Sequence, residues 1–301
     1  MNFTLTILGS ASALPFSDRN PSAQALSVHG RLFLIDCGEG TQQRIRQEHL
    51  SFVKIEAIFI SHIHGDHCFG LFGILSTMSL YHRTQPLHIY GPQNLGPIIK
   101  FYLSYFGQEL GYEIVFHQIA GAASFLYSPK KGFVEENAAP GNGECLLKIT
   151  AFPLNHKIEC YGFRFDEIVG LISNPWKPRS YAYVSDTAPF DGLAEKVRGV
   201  DILYHEATYP ADLQNKAGQY YHSTTHQAAM CARNAEVGKL LIGHFSSRVK
   251  DISTLQEECR EIFPETIAVN DGDIFEIPYI REYEKMPSDN TGDSDGAFGT
   301  V

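Results

Sequence analysis

The chain has 301 residues, of which 44% are hydrophobic, and this is enough for a large buried core in one large domain or two small ones. The formal net charge of −10 counts against a broad basic face, so any contact with nucleic acid would need a local patch. Six scattered cysteines without a CxxC pair indicate reduced thiols in a cytoplasmic protein rather than a disulfide framework.

The first residues, MNFTLTILGSASALP, contain the cleavage-like triplet ASA but lack the basic region that opens a secretory signal. FTLTIL alternates like a strand, so we expect a strand followed by a loop. No apolar run reaches the roughly 18 residues that a membrane helix needs, and we expect no membrane association.

Short β-rich runs dominate both halves of the chain. They are FTLTILG, ALSVHG, RLFLIDCG, IEAIFIS, LHIYG and YEIVFHQ before residue 120, then LLKITAFPL, YGFRF, YAYVSD, DILYHEA, KLLIGHF and TIAVNDGDIFEI. Helical patterns lie between them at 40–48, 66–81, 94–106, 224–235 and 252–262. Strands that alternate with helices in two similar halves predict an α+β protein with two packed sheets and helices outside.

Two stretches interrupt this pattern. Residues 120–143 are rich in Gly, Ala and Pro and predict a long surface hairpin or loop. The tail after Pro287, SDNTGDSDGAFGT, is acidic and poor in apolar residues, so we expect disorder there. We therefore expect one domain over 1–284 and an acidic tail over 285–301.

The strongest chemical signal is SHIHGDH, which directly follows the apolar strand IEAIFI. His62 and His64 alternate, so an extended backbone points both imidazoles the same way. Asp66 and His67 open the next helix, and their side chains approach from another direction. Two donor sets at two angles fit two adjacent metal ions better than one. Imidazole and carboxylate without thiolate favour zinc, with manganese or iron as alternatives.

The HxHxDH pattern resembles the metallo-β-lactamase superfamily. That resemblance implies a four-layer αββα sandwich with the metals at one edge of the sheets, and residues 1–284 as a single catalytic domain. It also implies a lone His, an Asp and a last His, each after a strand. His156 follows ITAFPLN, Asp186 follows YAYVS and His244 follows KLLIG.

The resemblance assigns these residues to two zinc ions per subunit. One ion would be held by His62, His64 and His156, the other by Asp66, His67 and His244, with Asp186 bridging both. Two such ions would polarise an oxygen of the substrate and lower the pKa of a shared water, and Asp66 could steer its proton. Asp36 in LIDCGEG is either a carboxylate that orients a ligand histidine or only a turn residue.

Four further stretches resemble the ribonuclease Z family, whose members remove the 3′ trailer from precursor tRNA. They are HEAT at 205–208, HST at 222–224, GHFSSR at 243–248 and PFSDRN at 15–20, and the likeness covers most of residues 3–280. It implies precursor tRNA as a partner, a homodimer, and His222 as the proton donor to the leaving oxygen, kept protonated by Glu206. The other interpretation makes Glu206 a strand-end contact and His222 part of a helix N-terminal turn.

The chain departs from the family pattern in two places. Ser17 stands where the family usually has a lysine, although Arg19 and Asn20 remain as candidate substrate contacts. Only 29 residues separate His156 from Asp186, too few for the family's long basic tRNA-binding arm. The basic residues that could form a substitute patch are Lys177, Arg179, Arg164 and Arg248, and the other interpretation makes them ordinary charged surface residues.

These departures keep other functions open. The alternative enzyme is a dinuclear metallohydrolase that acts on a small cyclic phosphodiester, lactone or thioester. A metal-bound scaffold or an RNA-binding module without turnover is a further possibility from a different class.

Overall fold

The computed structural model describes residues 2–14, 18–107, 110–135, 145–168 and 177–280. The expected tail at 285–301 lies outside the described residues, as do residues 136–143 of the expected loop at 120–143 and Ser17.

Within the described residues, the first sheet has seven strands in the spatial order β15-β1-β2-β3-β4-β5-β6. Strands β3 to β6 are parallel, and the remaining pairs are antiparallel. The strands are β1 (Phe3–Gly9), β2 (Ala23–Val28), β3 (Arg31–Ile35), β4 (Ile55–Phe59), β5 (Leu87–Pro92), β6 (Ile114–Ile119) and β15 (Ile274–Glu276).

The second sheet has eight strands in the order β14-β13-β12-β11-β10-β9-β7-β8. Strands β11 to β14 are parallel, and the other pairs are antiparallel. The strands are β7 (Ala123–Ser128), β8 (Gly132–Glu135), β9 (Leu147–Pro153), β10 (Tyr161–Glu167), β11 (Ser180–Val184), β12 (Ile202–Glu206), β13 (Lys239–Gly243) and β14 (Thr266–Ala268). The described part of the 120–143 stretch therefore forms the hairpin β7–β8, and it extends the sheet.

The helices lie outside the two sheets. They are α1 (Thr41–Gln47), α2 (Gly65–Cys68), α3 (Leu71–Leu80), α4 (Leu95–Phe106), α5 (Leu193–Lys196), α6 (Gln214–Gln219), α7 (Thr225–Asn234) and α8 (Ile252–Arg260). Short 3-10 turns occupy Phe52–Lys54 and Ala211–Leu213. No helix in the described part of the chain is both long and apolar enough to cross a bilayer.

Three apolar clusters hold four layers together. Aromatic residues of both sheets, such as Phe33 and Phe59 on one side and Phe163 on the other, fill the central cluster. A second cluster joins the first sheet to α1, α3 and α4, and a third joins the second sheet to α5, α7 and α8. The expected αββα sandwich is confirmed, and strands buried on both faces explain the near-continuous apolar runs in the sequence.

One predicted helix differs from the structure. The pattern at 66–81 predicts a single helix, but α2 ends at Cys68 and α3 begins at Leu71. The Gly70 amide donates to the Cys37 carbonyl (2.9 Å), and a Cβ on Gly70 would come within 2.1 Å of the Gly38 carbonyl oxygen. This close contact between two backbones separates the helices and holds His67 beside the end of β3.

Candidate metal centre

The ends of several strands meet at one edge of the sandwich. His62 follows β4, His156 follows β9, and Asp186 and His244 follow β11 and β13. Asp66 and His67 lie in the first turn of α2, as the sequence predicts. His244 has a positive φ of 61°, a backbone conformation in which histidine is enriched, and this turns its ring towards the others.

The first group of donor atoms combines three histidines with one carboxylate oxygen. His62 Nε2 lies 3.0 Å from His64 Nδ1, which in turn lies 3.3 Å from His156 Nε2. Asp186 Oδ2 lies 3.6 Å from His62 Nε2 and 3.9 Å from His156 Nε2. The four side chains can therefore hold one metal ion.

The second group lies on the other side of Asp186. His67 Nε2 and His244 Nε2 are 3.3 Å apart, and Asp66 Oδ2 lies 3.3 and 3.4 Å from them. Asp186 Oδ1 lies 3.4 Å from His67 Nε2 and 3.2 Å from His244 Nε2. One oxygen of Asp186 thus faces each group, which is the arrangement that a bridging carboxylate requires.

These spacings match the chemistry of a small divalent cation. In a tetrahedral zinc site with bonds of 2.0–2.1 Å, neighbouring ligand atoms lie about 3.3 Å apart. Most of the distances above fall within 0.4 Å of that value. Converging nitrogen lone pairs and carboxylate oxygens repel each other unless a cation lies between them, so the residues present fit a bound metal.

Four of the histidines use their second nitrogen to contact another part of the protein. The contacts are His62 Nδ1 with Ser61 Oγ (2.9 Å), His67 Nδ1 with Asp36 Oδ2 (2.7 Å), His156 Nδ1 with Tyr221 O (3.1 Å) and His244 Nδ1 with Thr208 Oγ1 (2.8 Å). Such outer partners fix the ring orientation and leave Nε2 free for a metal.

Asp36 is one of these outer partners and not only a turn residue. Its buried carboxylate accepts hydrogen bonds from the Ser61 amide (2.7 Å), the Ser61 hydroxyl (2.8 Å) and the Tyr183 hydroxyl (2.6 Å), besides its contact with His67. A positive φ of 55° at Asp36 directs the carboxylate into the sandwich. Of the two interpretations of Asp36, the structure favours the orienting one.

Glu206 and His222 form a pair beside the second donor group. Glu206 is fully buried at the end of β12 and accepts the amides of Thr187 (3.0 Å), Thr208 (3.1 Å) and Ser223 (3.0 Å). Burial opposes the charged form of Glu206, but the charge and hydrogen bond of His222, together with the charge of His244, outweigh it and lower the pKa of Glu206.

His222 Nδ1 lies 3.0 Å from Glu206 Oε1, so its Nε2 is the ring nitrogen left for a substrate. Burial alone would lower the pKa of His222, but the Glu206 carboxylate outweighs it and raises the pKa to about 9. The structure therefore brings the two residues together as an acid held by a carboxylate.

An open cavity of about 510 Å³ gives access to this edge. Its walls include Asp66, His222 and Arg248 from the predicted set. They also include side chains that the sequence analysis did not single out, namely Leu14, Lys157, Thr208, Tyr209 and Tyr220.

The structure does not bring two of the candidate substrate contacts, Lys177 and Arg179, to the cavity. Lys177 and Arg179 precede β11, whereas Asp186 follows it, and a five-residue strand spans about 17 Å. Arg179 is only 2% exposed and binds Glu167 through Nε (2.9 Å) and Nη2 (2.8 Å). Lys177 Nζ lies 2.8 Å from Asp201 Oδ1. Neither residue lines the cavity, and both stabilise the opposite edge of the sheet.

Arg19 and Asn20 are also bound by the protein itself. Arg19 donates to Ser10 Oγ (2.8 Å), to the Val269 carbonyl (3.1 Å) and to Asn270 Oδ1 (2.7 Å). The backbone amide of Asn20 donates to an Asp271 carboxylate oxygen (2.7 Å). Neither residue is among those that line the cavity, so the structure does not bring them to the candidate substrate site.

The fold and the site define the class of protein. A family model described as "Beta-lactamase superfamily domain" matches residues 31–245, which is most of the chain. Together with the αββα sandwich and the His/Asp cluster at its edge, this match shows that the chain belongs to the metallo-β-lactamase superfamily.

Sequence relatives narrow this class. The chain is 36% identical to a ribonuclease Z of Bacteroides thetaiotaomicron over 88% of this chain and 92% of that protein. It is 35% identical to a ribonuclease Z of Porphyromonas gingivalis, with 89% and 97% covered. Its structure is similar to the short form of human tRNase Z, with a TM-score of 0.72, 29% identity, and coverage of 91% and 99%. The chain belongs to the ribonuclease Z family, as its motifs indicated.

Proposed function

We propose that this protein is a dinuclear zinc-dependent endoribonuclease that removes the 3′ trailer from precursor tRNA. The observation that carries the proposal is the convergence of two donor groups on the two oxygens of Asp186, next to the Glu206–His222 pair. The names of its relatives, ribonuclease Z and tRNase Z, support the same activity.

The proposed ligand set is the one that the sequence predicts. One ion would be held by His62, His64 and His156 and the other by Asp66, His67 and His244, with Asp186 shared. Zinc is the preferred metal because the donors are imidazoles and carboxylates without thiolate, although manganese and iron accept the same ligands. When bound, two such ions supply Lewis-acid activation of water and of the phosphate oxygens.

The protein's own side chains move the protons. Asp66 lines the cavity, and its carboxylate can take the proton that the attacking water loses. His222 Nε2 can donate a proton to the 3′ oxygen that leaves, because Glu206 keeps the ring in its protonated form. Arg248 also lines the cavity, where its charge can bind a phosphate of the RNA backbone.

The test compares two substrates with the zinc-loaded protein. One is a precursor tRNA with a 3′ trailer, and the other is bis(p-nitrophenyl) phosphate. We expect a single cut at the 3′ end of the tRNA, and we expect it to disappear in Asp66→Ala while the circular dichroism spectrum is unchanged. Hydrolysis of the small ester alone would support phosphodiesterase activity but contradict precursor tRNA as the substrate. A rate that does not depend on the metal would contradict the proposed mechanism.

We also propose that the protein is a homodimer. Helix α4 exposes Ile98, Phe101, Tyr105 and Phe106 on one side of the molecule, and contiguous exposed apolar groups of this kind are typical of protein interfaces. Because a second copy would cover the same face symmetrically, light scattering should give a mass near twice 33.6 kDa. A monomeric mass at micromolar concentration would contradict the dimer.

A cytoplasmic location and a single catalytic domain over 1–284 complete the proposal. Four of the six cysteines are buried, as expected for thiols kept in a reducing compartment. Six titratable thiols in the denatured protein purified without reductant would support this, and fewer would contradict it.

A further inference from the structure

The mouth of the metal cavity carries two exposed apolar side chains. Leu14 is 57% exposed and Tyr220 is 53% exposed, and both line the cavity together with His222. Exposed apolar groups scattered over a surface need no explanation, but a pair at the entrance of a polar reaction site is available to contact a substrate.

The backbone around Tyr220 is well fixed. Its amide donates to the carbonyls of Ala217 (3.1 Å) and Lys216 (3.3 Å) at the end of α6, and the amide of His222 donates to Ala217 as well (2.9 Å). Tyr221 between them has a positive φ of 59°. The backbone of Tyr220 is therefore held two residues before the candidate proton donor, so its ring is attached at a defined point next to His222.

A second tyrosine at the cavity, Tyr209, is buried, in contrast to Tyr220. Tyr209 is 8% exposed, its ring lies 6.1 Å from that of His222, and the Lys216 ammonium lies 5.8 Å from its centre. Tyr220 has no ring partner of this kind within the described part of the chain. One tyrosine thus packs the wall of the cavity, and the other presents its ring to the solvent.

We propose that Tyr220 and Leu14 form a stacking platform for the unpaired nucleobase beside the scissile phosphate. This inference rests on the proposed function and adds to it how a single-stranded part of the RNA is held. Aromatic side chains bind the π-face of any base, so the platform would accept trailers of different sequence. Lys157 and Arg248, which line the same cavity, are placed to bind the flanking phosphates.

The charge of the chain favours this kind of contact. With a net charge of −10, and with Lys177 and Arg179 paired with carboxylates at the other edge, we expect few phosphate contacts. Affinity that rests on phosphate contacts falls steeply as salt rises, whereas stacking releases no counterions. A platform next to the reaction site supplies binding energy that is largely independent of salt.

The experiment measures RNA binding without turnover. A single-stranded RNA of eight nucleotides, with 2-aminopurine near its centre, is titrated with the zinc-loaded protein, and stacking quenches the fluorescence of the probe. In Tyr220→Ala we expect Kd to rise about tenfold and the quenching to be lost, whereas Tyr220→Phe should retain both. The matched control is Tyr81→Ala, which removes a surface tyrosine that is 49% exposed and outside the cavity.

Salt dependence separates stacking from charge. Tyr220→Ala should leave the slope of log Kd against log salt unchanged, while Lys157→Ala should reduce it by about 0.7, the value for one phosphate contact of a single strand. Equal Kd and equal quenching in Tyr220→Ala and wild type would overturn the platform. If the wild type binds this RNA through Tyr220 but does not cut precursor tRNA, the proposed function fails and the platform stands.

Discussion

Replacing Asp36 by asparagine tests how far the outer partners of the cluster control the metal. Asparagine has the same shape and also tolerates the positive φ of 55° at this position. Four donors face the carboxylate, three of them at Oδ2 and the Ser61 amide at Oδ1. The amide side chain can keep its oxygen on the three donors only by turning its NH₂ group towards the Ser61 amide.

The expected loss of stability in Asp36→Asn follows from the Ser61 amide that is left without an acceptor. A buried N–H left without an acceptor costs about 1–3 kcal/mol, which corresponds to a fall in Tm of about 2–6 °C. Asparagine also removes the negative charge that makes the His67 ring a better ligand. Outer partners of metal-binding histidines typically contribute 10- to 100-fold in metal affinity, or about 1.4–2.7 kcal/mol. We therefore expect Asp36→Asn to fold, to melt earlier and to bind zinc at least tenfold more weakly.

The assay is competition for zinc against a chromophoric chelator, with Tm measured on the same samples. The matched control is Asp201→Asn at the opposite edge, where the carboxylate accepts the Ser180 amide (2.8 Å) and hydroxyl (3.0 Å) besides Lys177. It should lose stability but keep wild-type zinc affinity. Equal zinc affinity in Asp36→Asn and the wild type would refute the argument that Asp36 acts through His67.

Four further changes test other parts of the structure. Glu206→Gln removes the charge that raises the pKa of His222 to about 9. Because His222 donates a proton only when it is protonated, activity is lost as pH rises through that pKa. In the variant, the alkaline fall in kcat/KM should therefore move to lower pH. An unmoved profile would exclude His222 as the donor. Arg179→Met removes the guanidinium from the buried Glu167 carboxylate, which keeps His29 and Tyr279 as partners, and should cost up to about 3 kcal/mol in urea unfolding without raising the KM for precursor tRNA. Arg248→Ala should raise that KM severalfold and leave stability unchanged. Phe101→Asp should convert a dimer into a monomer in light scattering, because a charge on the exposed face of α4 opposes its burial.

The HxHxDH motif and the family resemblance that it carries were sufficient to predict which residues form the cluster. His156, Asp186 and His244 are far apart in the chain, but each follows a buried strand, and strands that run in the same direction bring their ends to one edge of a sheet. What the sequence could not predict is the hydrogen bonding behind the cluster. Thr208 links Glu206 (2.7 Å) to His244 (2.8 Å) through a single hydroxyl, and a threonine at a strand end has too many ordinary uses to indicate this. The motif HEAT was the only signal that contained it.

The positions of Lys177 and Arg179 have a physical cause that a sequence can reveal. Both residues lie between His156 and Asp186, in the segment where the family carries its arm, but closeness to Asp186 along the chain is not closeness in space. YAYV between them and Asp186 is a buried strand, and an extended strand carries its two ends to opposite edges of the sheet, about 17 Å apart. A basic residue placed before β11 therefore lies at the edge away from the metals, whereas Lys157 and Arg248, which follow β9 and β13 as His156 and His244 do, lie at the edge where an RNA phosphate would bind.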